Sequence, residues 1–251
     1  MKILSIDIGK NNLGFTIAEF IPHKDFQPKE GKKKPVNLYS ISDFKFKADL
    51  YDIEGGKIKA DVVSKRVGGL YNFANENGLL NGSLEMVIIE RQVPTNLIAM
   101  ELMYSVVAMF WPFTKNVVIF DPKLKFEAIG QVYNTKNKAH KKQSILNMRT
   151  LMDLFENDSF PELKKSLDDK KKQDDVADSF NQLMITLIQK GYIDMDPRDL
   201  YRAKSNEEQS EVKGYETEEI SNDKPSQKST RKYKPKPGIS KQTFNDEISD
   251  F

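Results

Sequence analysis

Five carboxylates stand where their neighbours either make a charge expensive or set it beside another. Asp7 lies between Ile6 and Ile8 in "KILSIDIG", and an ionised acid in so apolar a strand needs a partner or a metal to offset its desolvation. Glu90 ends the apolar run "MVIIE" in the same way, with Arg91 next to it as a ready counter-ion. In "QDDVADS", Asp175 and Asp178 are three apart and Asp174 and Asp178 four apart, so either spacing puts two carboxylates on one helical face. Each acid also has an ordinary reading. Asp7 can bond a nearby turn, Glu90 can pair with Arg91, and acids in a first helical turn cap it and complement its macrodipole. The set says more. The chain has no cysteine, and its two histidines are His23 and His140, which excludes disulfides, zinc-cysteine sites and thiol catalysis and disfavours Ser-His-Asp or polyhistidine mechanisms. Carboxylates from three elements make an oxygen-only site suited to Mg²⁺ or Mn²⁺. Two such ions about 4 Å apart activate water and stabilise the leaving oxygen of an in-line phosphodiester displacement.

The elements that must position these acids follow from patterning. "KILSIDIG" and "NNLGFTIAEF" predict a β-hairpin turned by Gly9, Asn11 and Asn12. The lysine- and proline-rich stretch 21–35 is expected to be a loop insertion before a third strand near "VNLYSISDFKF". A helix is predicted from about Ala60 to Asn77, a buried parallel strand at Met86 to Glu90, and a strongly apolar helix over "TNLIAMELMYSVVAMFW". A further strand, "NVVIFDP", precedes helical stretches through "LKFEAIG" and "KKQSILNMRTLMDLF", and the helix carrying the three aspartates comes last, with Val176, Phe180, Leu183, Met184 and Leu187 as its apolar stripe. This order is α/β of the ribonuclease H type, a mixed five-stranded sheet flanked by helices. Because side chains at the C-terminal ends of parallel strands converge on one sheet edge, Asp7 and Glu90 are expected to meet there.

Residues 1–200 form the expected nuclease domain, and 201–251 an expected disordered charged tail: Glu207 to Asp223 is mostly acidic, whereas Lys224 to Lys241 carries only basic charges. With no apolar run of bilayer-spanning length and no signal-like leader, an intracellular protein without membrane insertion is expected. The net charge of +2 leaves preference for a charged partner to local patches. The basic run from Lys123 to Arg149, interleaved with Phe126 and Tyr133, can track phosphates; its ordinary reading is a solvated helix face. The helix "TNLIAMELMYSVVAMFW" is apolar on nearly every side, which serves either core packing or a dimer contact.

The ordered set "SIDIGKNNLGF", "IIERQ" and "DDVADS" resembles the RuvC-like Holliday junction resolvases, above all their poxvirus and large-DNA-virus branch, over roughly Met1 to Lys190. The resemblance implies a ribonuclease H-like fold acting as a homodimer that places two symmetric nicks across four-way branched DNA, with Mg²⁺, or Mn²⁺, as two ions per site and no nucleotide cofactor. It nominates Asp7, Glu90, Asp175 and Asp178 as catalytic and metal-binding acids, with Asp174 as the spare. "KFEAIG" nominates Lys125, and "AHKKQ" nominates Lys141, or Lys142 by a one-residue slip, to contact the scissile phosphate or stabilise developing charge; Lys138 joins them as a DNA contact. A viral member would work at cytoplasmic replication sites. The loop 21–35, "ENDSFPELKKSLDDK" and the tail exceed what a minimal bacterial resolvase needs, and are expected where DNA is gripped. Rival readings are a ribonuclease H cutting RNA-DNA hybrids, an actin-like sugar kinase, whose second phosphate loop and glycine-rich adenosine motif are missing, and a non-catalytic branched-DNA-binding protein.

Overall fold

Period-two alternation in the first strand decides how the domain is layered. In β1 (Lys2–Ile8), Leu4, Ile6 and Ile8 enter one apolar core with Phe73, Val106 and Phe110. Ile3, on the opposite face, enters a second core with Met86, Phe180 and Leu183. Ser5 and Asp7 share that second face, since strand side chains alternate. Two apolar faces on one sheet require helices on both sides. The computed structural model describes residues 1–9, 12–26, 38–53, 62–114, 116–131, 139–169 and 173–201.

β2 (Asn12–Glu19) pairs antiparallel with β1, and β3 (Lys45–Asp52) antiparallel with β2. After α1 (Val62–Glu76) the chain returns as β4 (Leu84–Glu90), parallel to β1, and after α2 (Leu97–Phe110) as β5 (Val117–Phe120), parallel to β4. The sheet order is β3-β2-β1-β4-β5, the mixed five-stranded ribonuclease H arrangement expected from the element order. α3 (Leu124–Glu127), α4 (Ala139–Leu154), α5 (Phe160–Asp168) and α6 (Gln173–Gln189) follow. α1 and α2 cover one sheet face, and α4, α5 and α6 the other.

Three expectations change in detail. Over the described part of "VNLYSIS", from Leu38 onward, the third strand has not begun. Asp43 accepts from the Ser40 amide at 2.7 Å and closes a 3₁₀ turn over Ile41–Asp43, so pairing starts at Lys45 and continues to Asp52. The stretch around Phe160 folds as α5 and is fastened to the start of β3: the Ser159 hydroxyl accepts from the Phe46 amide at 2.9 Å, and Asn157 Nδ2 donates to the Ile41 and Phe44 carbonyls at 2.8 and 2.7 Å. Phe46 is level with Ala18, which is level with Ile3, four residues and about 13 Å along the sheet from Asp7. α6, thirdly, is buried well beyond its expected apolar stripe: twelve of its seventeen residues, from Val176 to Ile188, are buried. Each large apolar side chain among them contributes roughly 1.5–3 kcal/mol.

Backbone contacts separate a unit Met1–Ser205, to which everything described belongs, from Asn206–Phe251. The insertion beyond Phe26 and the expected tail from Arg202 onward lie outside the described residues. Among the described residues no helix is long and apolar enough to cross a membrane.

Candidate metal centre

β1 and β4 are parallel neighbours with Ile6 level with Ile89, so Asp7 and Glu90 end adjacent strands side by side. Both face α6: Asp7 follows Ile3 and Ser5 on that face, and Glu90 follows Met86 and Ile88, which lie in the same core. The helix approaches them because Gly14, directly across from Asp7 on β2, has no side chain. A Cβ at Gly14 would lie 2.1 Å from the Asp175 carbonyl oxygen.

A buried polar seam sets the rotation and height of α6. The Ser5 hydroxyl donates to the Ser179 carbonyl at 2.7 Å, the Thr16 and Ser179 hydroxyls bond at 2.9 Å, and Gln182 Nε2 donates to Ser5 Oγ at 3.0 Å and to the Ile6 carbonyl at 3.3 Å. Locked in this way, α6 brings Asp178 to the strand ends. Oxygens of Asp7, Glu90 and Asp178 all lie within 4.8 Å of one another. Three hard anionic oxygens converging from three elements fit a Mg²⁺ or Mn²⁺ ion, which takes carboxylate ligands and completes its shell with water.

The remaining nominated residues separate into distinct places. Asp175 accepts from Asn12 Nδ2 at 3.3 Å. Asp174 is paired with Lys141; the hydrogen bond to Asp174 raises the lysine's pKa, burial opposes it, and the charges of Asp174, Asp175 and Asp178 add to the rise. Lys142 is exposed on α4, and Lys138 lies outside the described residues. Lys125 is the surprise. Its side chain is only 4% exposed, and the ammonium lies 2.5 Å from Glu90 Oε2 and 3.1 Å from Asp178 Oδ1. Arg91, the obvious sequence neighbour for Glu90, reaches Asp121 instead, at 3.6 Å.

The charges bear on one another strongly. Burial, then the neighbouring Glu90, raises the Asp7 carboxyl well above the ordinary aspartate range. Burial raises Glu90 also, with Lys125 opposing and Asp178 adding to the shift. For Lys125, burial alone lowers the pKa, but Glu90, Asp178 and Asp7 outweigh it and keep the ammonium charged.

Sequence reading missed Ser144, Asn181 and Gly14. Ser144 Oγ donates to Asp178 Oδ1 at 2.6 Å and is only 1% exposed, and Asn181 Nδ2 donates to the Ser144 carbonyl and hydroxyl at 2.8 and 3.0 Å. A signal was present in the spacing: Lys141 and Ser144, three apart on α4, match Asp174 and Asp178, four apart on α6. Ser144→Ala leaves Asp178 without its orienting donor. A loss of about 10–100-fold in Mn²⁺ affinity or cleavage rate is expected, as for groups that orient metal ligands elsewhere. Isothermal titration with Mn²⁺ and single-turnover cleavage measure it, and unchanged values would reduce the bond to a packing contact.

A family model described as "Poxvirus A22 protein" matches residues 1–190. The chain belongs to the poxvirus A22 protein family. The matched stretch runs from β1 to the residue after α6 and therefore contains every acid of the cluster, in the poxvirus branch that the motifs resemble. Among solved structures, the chain is similar to the fowlpox virus resolvase in complex with substrate Holliday junction DNA, at 18% identity, covering 75% of this chain and 98% of that one with a TM-score of 0.46. It is also similar to Thermus thermophilus RuvC, at 14% identity, 76% and 98% coverage and a TM-score of 0.45. The same enzyme in complex with a Holliday junction substrate gives 15% identity, 75% and 96% coverage and a TM-score of 0.45. No curated protein matches the chain.

Proposed function

We propose that this A22 family member is a Holliday junction resolvase, a metal-dependent endonuclease that cuts four-way DNA by paired symmetric nicks. One observation carries the reading: Asp7, Glu90 and Asp178, from two parallel strand ends and the last helix, converge within 4.8 Å at the sheet edge where α/β proteins place their sites. The motifs that deliver these acids are those resembling the RuvC-like resolvases.

Asp7, Glu90 and Asp178 would hold one ion, with Asp175 and Asp174 the nearest acids for a second. When bound, Mg²⁺ activates water and stabilises the departing oxygen of the phosphodiester. The chain's own residues do the rest. Ser144 holds Asp178 at a fixed angle, and the seam from Ser5 to Gln182 fixes the helix that carries it. Lys141, which is paired with Asp174, and exposed Lys142 next to it on α4 supply positive charge for the DNA backbone. Lys138, on the same basic run, is assigned the same role. Crossing the acidic edge with a polyanion requires such flanking cations, because phosphate and carboxylate otherwise repel.

The test is a synthetic four-way junction with Mg²⁺, run beside an RNA-DNA hybrid of equal length. Wild-type protein is expected to yield ligatable nicked duplexes from the junction. Glu90→Gln is expected to lose cleavage while still shifting the junction in a gel. Cutting of the hybrid alone would favour the ribonuclease H reading, and junction binding without any cleavage a non-catalytic one.

Symmetric nicking needs two sites at a fixed separation, and α2 offers the contact. Leu97, Tyr104 and Trp111 are 69%, 60% and 49% exposed and seven residues apart, so they form one stripe on the helix face opposite buried Ala99, Leu102, Val106 and Phe110. A two-fold partner that lays the same stripe against this one buries both. Leu97→Glu with Tyr104→Glu is expected to turn a dimer into a monomer in sedimentation velocity and to uncouple the two nicks. A dimer that persists would place the contact elsewhere.

A further inference from the structure

We infer that the Lys125 ammonium is the resident cation of the carboxylate cluster, and that loading a divalent ion displaces it from Glu90 and Asp178 toward solvent. The inference rests on the metal site proposed above. Its basis is an accounting of acceptors. Asp178 Oδ1 accepts from Ser144 Oγ at 2.6 Å and is ion-paired with Lys125 Nζ at 3.1 Å, and Glu90 Oε2 accepts from Lys125 at 2.5 Å. A metal ion ligated through Asp178 Oδ1 competes with both groups for that oxygen, and one ligated through Glu90 Oε2 must share it with the ammonium.

The donors differ in their freedom to leave. Ser144 is a short side chain in the middle of α4, buried and tied to Asn181. Lys125 has a four-carbon stem with many rotamers and stands on α3, a helix of only four residues. Anchored beside it, Phe126 is 2% exposed and accepts through its carbonyl from the Gln131 amide at 2.9 Å, past Gly130 at φ 78°. The backbone of Lys125 is thus held while its side chain can swing.

Charge makes the exchange obligatory. Magnesium bonds carboxylate oxygen at about 2.1 Å, so an ion on the oxygens that Lys125 touches would lie within about 5 Å of the ammonium, where a dication and a monocation repel strongly. Other described cations near the cluster are committed: Lys141 to Asp174 and Arg91 to Asp121. Lys125 therefore neutralises the acids until metal arrives. Its release then presents a positive charge at the mouth of the site at the moment the site becomes competent.

Acetylation footprinting of the full chain, read by mass spectrometry, tests this without using activity. Lys125 is expected to resist acetic anhydride in EDTA and to react at least tenfold faster once Mn²⁺ saturates the protein, with exposed Lys142 as the internal reference. Electron paramagnetic resonance of free Mn²⁺ establishes saturation. Lys125→Met should bind Mn²⁺ at least tenfold more tightly than wild type without DNA, whereas Lys141→Met, which removes the same charge beside Asp174, should gain less. Protection of Lys125 that persists in the Mn²⁺-saturated protein overturns the inference, as does equal or weaker Mn²⁺ binding by folded Lys125→Met. Failure of wild-type protein to bind Mn²⁺ would instead remove the metal site, and this inference with it.

Discussion

Asp7→Asn is expected to abolish junction cleavage, by about three orders of magnitude or more as for loss of a principal charge-stabilising group, and to make the metal-free protein more stable. The second effect separates a functional acid from a structural one. Burial and Glu90 raise the folded-state pKa of Asp7 well above its ordinary value of 3.8, so the native protein holds this proton more tightly than the unfolded chain does. A group shifted upward contributes stability that is fully present below its unfolded pKa and is lost as pH rises through the folded one. Glu90 is raised too and acts with the same sign. Metal-free wild-type protein should therefore lose thermal stability as pH climbs from about 4 toward neutrality. Asp7→Asn should flatten part of that slope. At neutral pH the variant should gain roughly 1–3 kcal/mol by removing a poorly compensated buried charge, or about 2–4 °C per kcal/mol for a domain of this size. Mg²⁺ should raise the Tm of wild type, because it binds only the folded state, and do little for the variant. Differential scanning calorimetry across pH, with and without Mg²⁺, measures all of this. A variant that melts earlier than wild type in EDTA at neutral pH would make Asp7 an ordinary structural acid.

Gly14→Ala should be the most damaging single-atom-group addition in the domain. The new Cβ would lie 2.1 Å from the Asp175 carbonyl oxygen and 2.5 Å from its carbon, and both belong to helix backbone that cannot turn aside like a side chain. α6 must then retreat from the sheet, loosening the Thr16–Ser179 and Ser5–Ser179 bonds and drawing Asp178 away from Asp7 and Glu90. Overpacking of this kind costs about 3 kcal/mol or more, a fall in Tm of roughly 6–12 °C. Cleavage should fall further than stability alone explains, since displacement by an ångström is enough to spoil catalytic alignment. Thermal melts and single-turnover cleavage at a temperature where the variant is fully folded distinguish the two losses. Near-wild-type values in both would mean that α6 does not approach the sheet at Gly14.

The strand acids were legible because a strand is a local object. Two residues of period place Ser5 and Asp7 on one face, and the hydrophobic run before Glu90 marks a buried parallel strand that must end where its neighbour ends. The choice among Asp174, Asp175 and Asp178 was not legible, because helix rotation is decided by partners far away in sequence: Gly14, Thr16 and Ser5 on one side, Ser144 on the other. The same limit applies to Lys125. The resemblance of "KFEAIG" to the resolvases nominated it for DNA, yet its place between Glu90 and Asp178 depends on how α3 is carried off the end of β5. Arg91 illustrates the converse error, since adjacency to Glu90 suggested a pairing that strand geometry prevents: consecutive strand residues point to opposite faces. The third strand likewise outruns the stretch expected for it: the alternation of Phe46 continues through Ala48 and Leu50 to the end of β3 at Asp52.

The seam that seats α6 also governs when the nuclease comes into being. Its bonds join residues 163 to 177 positions apart, and Asp178 is delivered to Asp7 only through them. During synthesis, β1 emerges first and must wait for almost the whole domain before its acid has a helix to meet, and contacts of such sequence span are made last in folding. A nascent or truncated chain that lacks α6 has no Asp178 to complete the triad, and one sheet face has lost the helix that buries it. The triad is thus complete only when the domain is, a timing set by chain order.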